Sequence, residues 1–107
     1  MTDQEHPIQE SWADLTAVDK IIHEPARLAV ITILSLVESA DFLYLQKATR
    51  LTKGNLSVHL QKLEEAGLIE IQKTFQGKIP RTLCRLSVKG KESFKAYKKQ
   101  IGQLFGQ

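Results

Sequence analysis

A leucine stripe that gives way at once to a different period constrains this chain more than any other feature. Leu56, Leu60 and Leu63 recur at i, i+4 and i+7 behind Thr52, a good helix N-cap, and Gly67 supplies a C-terminal stop. From Leu68 the period drops to two. Ile69, Ile71 and Phe75 alternate, predicting a strand over residues 68–75 with one buried face. Gln76-Gly77-Lys78 reads as a turn, and residues 82–86 as a returning strand with Cys84 and Leu86 on one face. Ser87 then caps a last helix, in which Phe94, Tyr97, Ile101, Leu104 and Phe105 recur at three- and four-residue steps while Lys89, Lys91, Lys95, Lys98 and Lys99 take other positions. Gly102 should weaken that helix locally. A capped helix, a hairpin and a second capped helix in direct succession leave few folds open.

Upstream, Thr16 and Asp19 have the spacing of a capping box for a short helix through Lys20, Ile21 and Ile22, which must stop before Pro25. Pro25 opens the next helix, which the pattern carries to about Ser39. Leu28, Val30, Ile31, Ile33, Leu34, Leu36 and Val37 make it apolar around most of its circumference and predict burial on more than one side. Asp41 and Phe42 break it. Leu45, Ala48 and Leu51 then mark a third short helix with Lys47 and Arg50 facing out. Residues 1–10 are polar and aperiodic, so a mobile arm is expected there, with one domain over residues 11–107.

Composition narrows the function classes. At 107 residues the expectation is one small domain, which excludes a two-domain enzyme. The single cysteine, Cys84, permits no internal disulfide and points to a reducing compartment, and its inward strand position reads as a small apolar core residue. Asp3, Glu5 and Glu10 stand where a signal peptide would be basic, and the apolar stretch over residues 28–37 is too short for a membrane span. The formal net charge of +3 conceals a partition. Residues 1–41 carry two bases and eight acids, whereas residues 42–107 carry 13 bases and four acids. Such asymmetry points to a nucleic-acid-facing or membrane-facing portion, or to a solvated basic face.

Five segments in order carry a resemblance: residues 22–28 (Ile-His-Glu-Pro-Ala-Arg-Leu), residues 51–60 (Leu-Thr-Lys-Gly-Asn-Leu-Ser-Val-His-Leu), residues 63–67 (Leu-Glu-Glu-Ala-Gly), Pro80-Arg81-Thr82, and residues 86–90 (Leu-Ser-Val-Lys-Gly). Together they closely resemble small bacterial and archaeal winged helix-turn-helix regulators related to MarR and ArsR, over residues 17 to 105. The resemblance implies a mainly α fold, a three-helical core with a small β-hairpin wing and extra N- and C-terminal helices. It also implies a homodimeric, sequence-specific DNA-binding transcription regulator.

The residues of the predicted recognition helix suit that role on physical grounds. Thr52 and Lys53 suit phosphate contact at its start, and Lys62 suits the DNA backbone. Asn55, Ser57, Val58 and Gln61 are short polar or apolar groups able to approach base edges, amides pairing with adenine and Val58 packing on a thymine methyl. At the hairpin tip Lys73, Lys78 and Arg81 are expected along the minor groove or its phosphates, although Pro80 and Thr82 suggest a corner that Arg81 also braces. DNA contact is the favoured reading, with Arg81 its strongest candidate, and a solubilising edge the alternative. Trp12, Leu15, Val18, Ile22, Phe94, Tyr97, Ile101, Leu104 and Phe105 exceed what so small a core would absorb, so a dimer interface is expected there, with folding back onto the same subunit as the alternative.

His59, beside the leucine stripe, reads as a packed residue, and His6, His23 and His59 are too scattered for a metal site. ArsR-like metal sensors use clusters of Cys, His and carboxylates that this sequence lacks. No cofactor, metal or catalytic motif is expected, and nothing supports a small-molecule effector. The leading expectation is therefore a cytoplasmic homodimeric regulator, nucleoid-associated when bound, most simply a repressor on a pseudo-palindromic operator. The alternatives are a winged-helix docking module in a transcription or repair assembly and an RNA-binding surface, the latter poorly served by few aromatics.

Overall fold

A computed structural model of the chain describes residues 16–105. The expected arm over residues 1–10, together with Trp12 and Leu15, lies outside them.

Local chemistry accounts for most of the element boundaries. Helix α1 (Ala17–Ile22) starts at the capping box: Asp19 N–H donates to Thr16 Oγ1 at 3.0 Å, and Thr16 N–H donates to Asp19 Oδ2 at 3.1 Å. Helix α2 (Pro25–Ser35) has proline at its first position and Glu24 as its cap. It ends four residues before the expected Ser39. Near its end Thr32 Oγ1 donates to Leu28 O and Ser35 Oγ to Thr32 O, so hydroxyls compete with the backbone for carbonyls, and Leu36 N–H closes a tighter turn on Ile33 O. Leu36 and Val37 therefore fall outside the helix, exposed, instead of joining its apolar face.

The chain next forms a two-residue strand, β1 (Ala40–Asp41), which the sequence pattern does not announce. Helix α3 (Phe42–Thr49) is capped by Asp41 and ends at Arg50 in the left-handed region, φ 59°. Leu45 is buried, but Ala48 is exposed and Leu51 lies beyond the helix end, so the expected stripe reduces to one core residue. Helix α4 (Lys53–Glu65) buries Leu56, Leu60 and Leu63, the stripe expected from their i, i+4, i+7 spacing. Gly67, at φ 77°, reverses the chain into β2 (Ile69–Gln76) and β3 (Ile79–Leu86).

The two long strands pair antiparallel from Ile69↔Leu86 to Gln76↔Ile79, and β1 adds to the other side of β3 at Ala40↔Cys84 and Asp41↔Leu83, giving the order β1-β3-β2. Strand β3 starts three residues earlier than expected. Pro80 is accommodated there because β1 covers β3 only from Leu83 onward, leaving the outer part of β3 unpaired on that side. Gly77, at φ 64°, takes the first position of the two-residue turn, where glycine is favoured.

Helix α5 (Val88–Leu104) begins at Ser87, whose Oγ accepts Gly90 N–H at 2.9 Å. It packs back on α1 through Phe94 and Tyr97, and His23 Nδ1 lies 2.5 Å from Tyr97 Oη. Ile22, Phe94 and Tyr97 are thus buried within the subunit's own core. The physical reason is that α5 returns across α1 and covers that apolar face itself. Cys84 is fully buried, and burial pushes its thiol up to about 11, so it stays protonated as an apolar core group. No described helix is long and apolar enough to cross a membrane.

Candidate nucleic-acid interface

Helix α4 is oriented by its buried leucines, so the opposite side faces solvent. Thr52, Lys53, Asn55, Ser57, Val58, Gln61 and Lys62 are all exposed. Thr52 Oγ1 accepts Asn55 N–H at 3.1 Å and starts the helix cleanly. Gln61 Nε2 donates to Glu65 Oε2 at 3.2 Å, a contact on the solvent side that a base edge could replace.

A second anchor sits behind the helix. Arg27 donates through Nε to Ile21 O at 2.6 Å and through Nη1 to His59 Nδ1 at 3.2 Å, while its backbone N–H donates to Glu24 Oε1 at 2.8 Å. Arginine can only donate, so His59 Nδ1 is the acceptor in this contact. His59 therefore ties the middle of α4 to the start of α2. Among the described residues no group of three or more His, Cys, Asp and Glu could hold a metal ion.

The wing meets this helix across a cleft of about 680 Å³. Lys53, Ser57, Gln61 and Glu64 line it from α4, Lys73 and Arg81 from the hairpin, and Asp41 from β1. Helix face and wing, read separately in the sequence, form one concave surface. Lys78 is exposed in the turn at the tip. Asn55, Val58 and Lys62 are exposed on α4 but do not line the cleft.

Arg81 is the site residue whose position is most altered by the tertiary structure. Its Nη2 pairs with Asp41 Oδ2 at 2.5 Å, its Nη1 bonds Gln76 Oε1, and its side chain is only 30% exposed. Because β1 lies beside β3 with Asp41 opposite Leu83, the guanidinium meets a carboxylate on the neighbouring strand and braces the wing. Asp41 is the residue the sequence reading undervalued. It caps α3, accepting Tyr44 N–H at 2.7 Å, and holds Arg81; its position three residues before Tyr44 was the available signal for the cap.

The Tyr44 backbone N–H, followed by Arg81, holds the Asp41 carboxyl below its ordinary 3.8, against the opposing effect of burial. A carboxyl depressed in the folded state contributes stability that is present above the ordinary carboxylate range and lost as pH falls through the folded value. Asp41→Asn keeps a competent cap but removes the charge paired with Arg81, so it should cost up to about 1 kcal/mol at neutral pH, as for a partly exposed ion pair. It should also flatten the acid limb of a plot of urea midpoint against pH. An unchanged acid limb would contradict the assignment.

A cleft formed by a capped, solvent-facing helix and a basic two-stranded wing defines a class: a winged helix built to present α4 outward. Comparison with known proteins agrees with that geometry. Residues 26–105 match the family model described as "Winged helix DNA-binding domain", and the chain belongs to that family. An uncharacterized protein of Methanocaldococcus jannaschii is 37% identical over 86 residues, covering 79% of this chain and 92% of that protein. The transcriptional regulator homologue protein from Pyrococcus horikoshii superposes with a TM-score of 0.80 at 27% identity, over 92% of this chain and 93% of its own. A MarR-family structure from Enterococcus faecalis gives 0.69 at 20% identity, over 100% and 92%, a likeness of fold. The fold is that of the MarR, ArsR and PadR winged-helix transcriptional regulators.

Proposed function

We propose that this protein is a sequence-specific DNA-binding transcription regulator, acting as a homodimer on a pseudo-palindromic operator and most simply repressing by occupying a promoter. The observation that carries the reading is the shared cleft, in which the polar face of α4 and the basic wing converge. An α-helix fits a major groove, and short groups such as Ser57 and Gln61 let it approach base edges. Lys53, Lys62, Lys73 and Lys78 then set affinity and its salt dependence, while Asn55, Ser57, Val58 and Gln61 set sequence choice, with Thr52 fixing the helix start. Arg81 contributes mainly by holding the wing in position.

Two such helices must sit about 34 Å apart to read successive major grooves on one face. The terminal helices supply the material for that spacing. Val18 and Ile101 are only half-buried and Phe105 is 73% exposed, at the ends of α1 and α5 that the sequence associates with Trp12, Leu15 and Leu104. The acidic residues before Phe42 then belong to the scaffold side, except Asp41, which pairs with Arg81 at the cleft. The proposed working place is the cytoplasm, with double-stranded DNA and a second copy as partners.

The test is selection from a random-sequence DNA pool across a salt series. An inverted repeat with half-sites about one helical turn apart should be enriched. The logarithm of affinity should fall by roughly four to seven per logarithm of salt concentration, as expected for several lysine–phosphate contacts per subunit. No enrichment at low salt, with one stoichiometric protein copurifying through high-salt washes, would favour a docking module instead.

A further inference from the structure

The alternation that predicts a buried Phe75 is overturned by the structure. On the face of β2 that carries Ile69, the sequence of exposures runs from buried at Ile69 through half-buried at Ile71 to exposed at Lys73, and Phe75 is 69% exposed. The reason is length. The hairpin continues past the helices, and Phe75 lies about 13 Å beyond Ile71 at strand rise. Its cross-strand partner on the same face is Pro80, while Ile79, 66% exposed and opposite Gln76, lies at the tip on the other face. Phe75 shares its strand face with Lys73, which lines the cleft beside α4.

An exposed phenylalanine at the end of a hairpin needs an occupant for its surface, and the surrounding charge selects one. From Gln72 to Thr82 the chain carries Lys73, Lys78 and Arg81 and no acid. With Arg81 held by Asp41, the apolar tip is flanked by Lys73 and Lys78, a charge that complements a polyanion with an apolar interior such as stacked base pairs behind two phosphate strands. We infer that Phe75 is a wedge that inserts at a base step in the minor groove flanking the one α4 reads, partly unstacking it, with Pro80 backing the ring and Lys73 and Lys78 on the adjoining phosphates. This rests on the DNA-binding reading above. Proteins that insert apolar side chains between base steps kink the duplex and favour flexible pyrimidine–purine steps, so the wedge would add a preference for such a step at a position α4 does not touch.

The probe is an A·T-rich duplex of about 30 base pairs carrying 2-aminopurine at a central TpA step, titrated with the full chain at low salt, with anisotropy of a terminal dye reporting binding. Saturating wild-type protein should raise the 2-aminopurine fluorescence severalfold, as unstacking does. Phe75→Ala should lose that rise while still binding, with affinity lower by about tenfold. Phe75→Leu should retain part of the rise, and Lys73→Ala should weaken binding yet reach the same fluorescence at saturation. Phe75 is exposed, so its truncation leaves the core intact. Binding by wild type without a rise, or an equal rise with Phe75→Ala, overturns the wedge and leaves the DNA-binding reading standing. Absence of binding in anisotropy overturns both. Self-association of the wild type without DNA that Phe75→Ala abolishes would make a second copy the occupant and overturn the wedge.

Discussion

Gly90→Ala should lower the stability of the fold by about 3 kcal/mol, the upper part of the range for forcing an extra carbon into a packed site. A Cβ at residue 90 would stand 1.9 Å from Leu68 O and 2.9 Å from Leu68 C. Those are backbone atoms, which cannot swing aside as a long side chain can. They also belong to a junction held by several hydrogen bonds. Ser87 N–H donates to Leu68 O at 3.0 Å, Ser87 Oγ donates to Gly67 O at 2.6 Å, and Lys89 Nζ reaches Ala66 O at 2.9 Å. The start of α5 is thus clasped to the end of α4. An added methyl must separate them, straining the cap at Ser87 and the left-handed turn at Gly67 together. Gly54, with nothing within 4 Å of its added Cβ, is the matched control: alanine there should stabilise the helix by about 0.5–1 kcal/mol. Urea denaturation of the two variants separates backbone collision from helix propensity. A loss below about 1 kcal/mol for Gly90→Ala would show that the junction yields.

The second large effect concerns recognition. Ser57→Ala combined with Gln61→Ala should reduce affinity for the selected DNA site by about 100-fold, since a good base contact is worth roughly 1–3 kcal/mol. Affinity for unrelated DNA should stay within about threefold, because the proposed phosphate contacts of Lys53, Lys62, Lys73 and Lys78 are left untouched by these substitutions. Both altered side chains are exposed, so the urea midpoint should not move beyond the small gain or loss expected of surface alanines. Gln61 now bonds Glu65, and releasing that contact costs little at the surface. Equal losses on all sequences would place base reading elsewhere on the molecule. The Phe75 variants complete the comparison, since the wedge changes DNA shape at a step outside the α4 contact.

Much of this architecture could be read from short windows. Caps at Thr16, Thr52 and Ser87, the proline start at Pro25, the leucine stripe and the glycine turns at Gly67 and Gly77 all act within a few residues of themselves. Their hydrogen bonds and backbone preferences are local, so residue order alone specifies them, and it suffices to place α4 and its exposed candidates. The charge partition at Phe42 belongs to the same class, being a property of order and composition. Other features have no local signature. Strand β1 exists only because β3 arrives beside it, and Arg81 becomes a brace only because that pairing delivers Asp41. Ile22, Phe94 and Tyr97 show ordinary helical periodicity, which says that a face is apolar and not what covers it; the return of α5 across α1 puts them in this subunit's own core. Phe75 follows a strand alternation whose period is correct and whose burial fails, because burial depends on how far the helices extend beneath the sheet. Gly90 looks like a poor helix residue until Leu68 is seen against it. The division follows from range: capping, turn and period energies are set over three or four neighbours, whereas coverage, ion pairing and close approach join residues tens of positions apart and take their values only once the chain has folded.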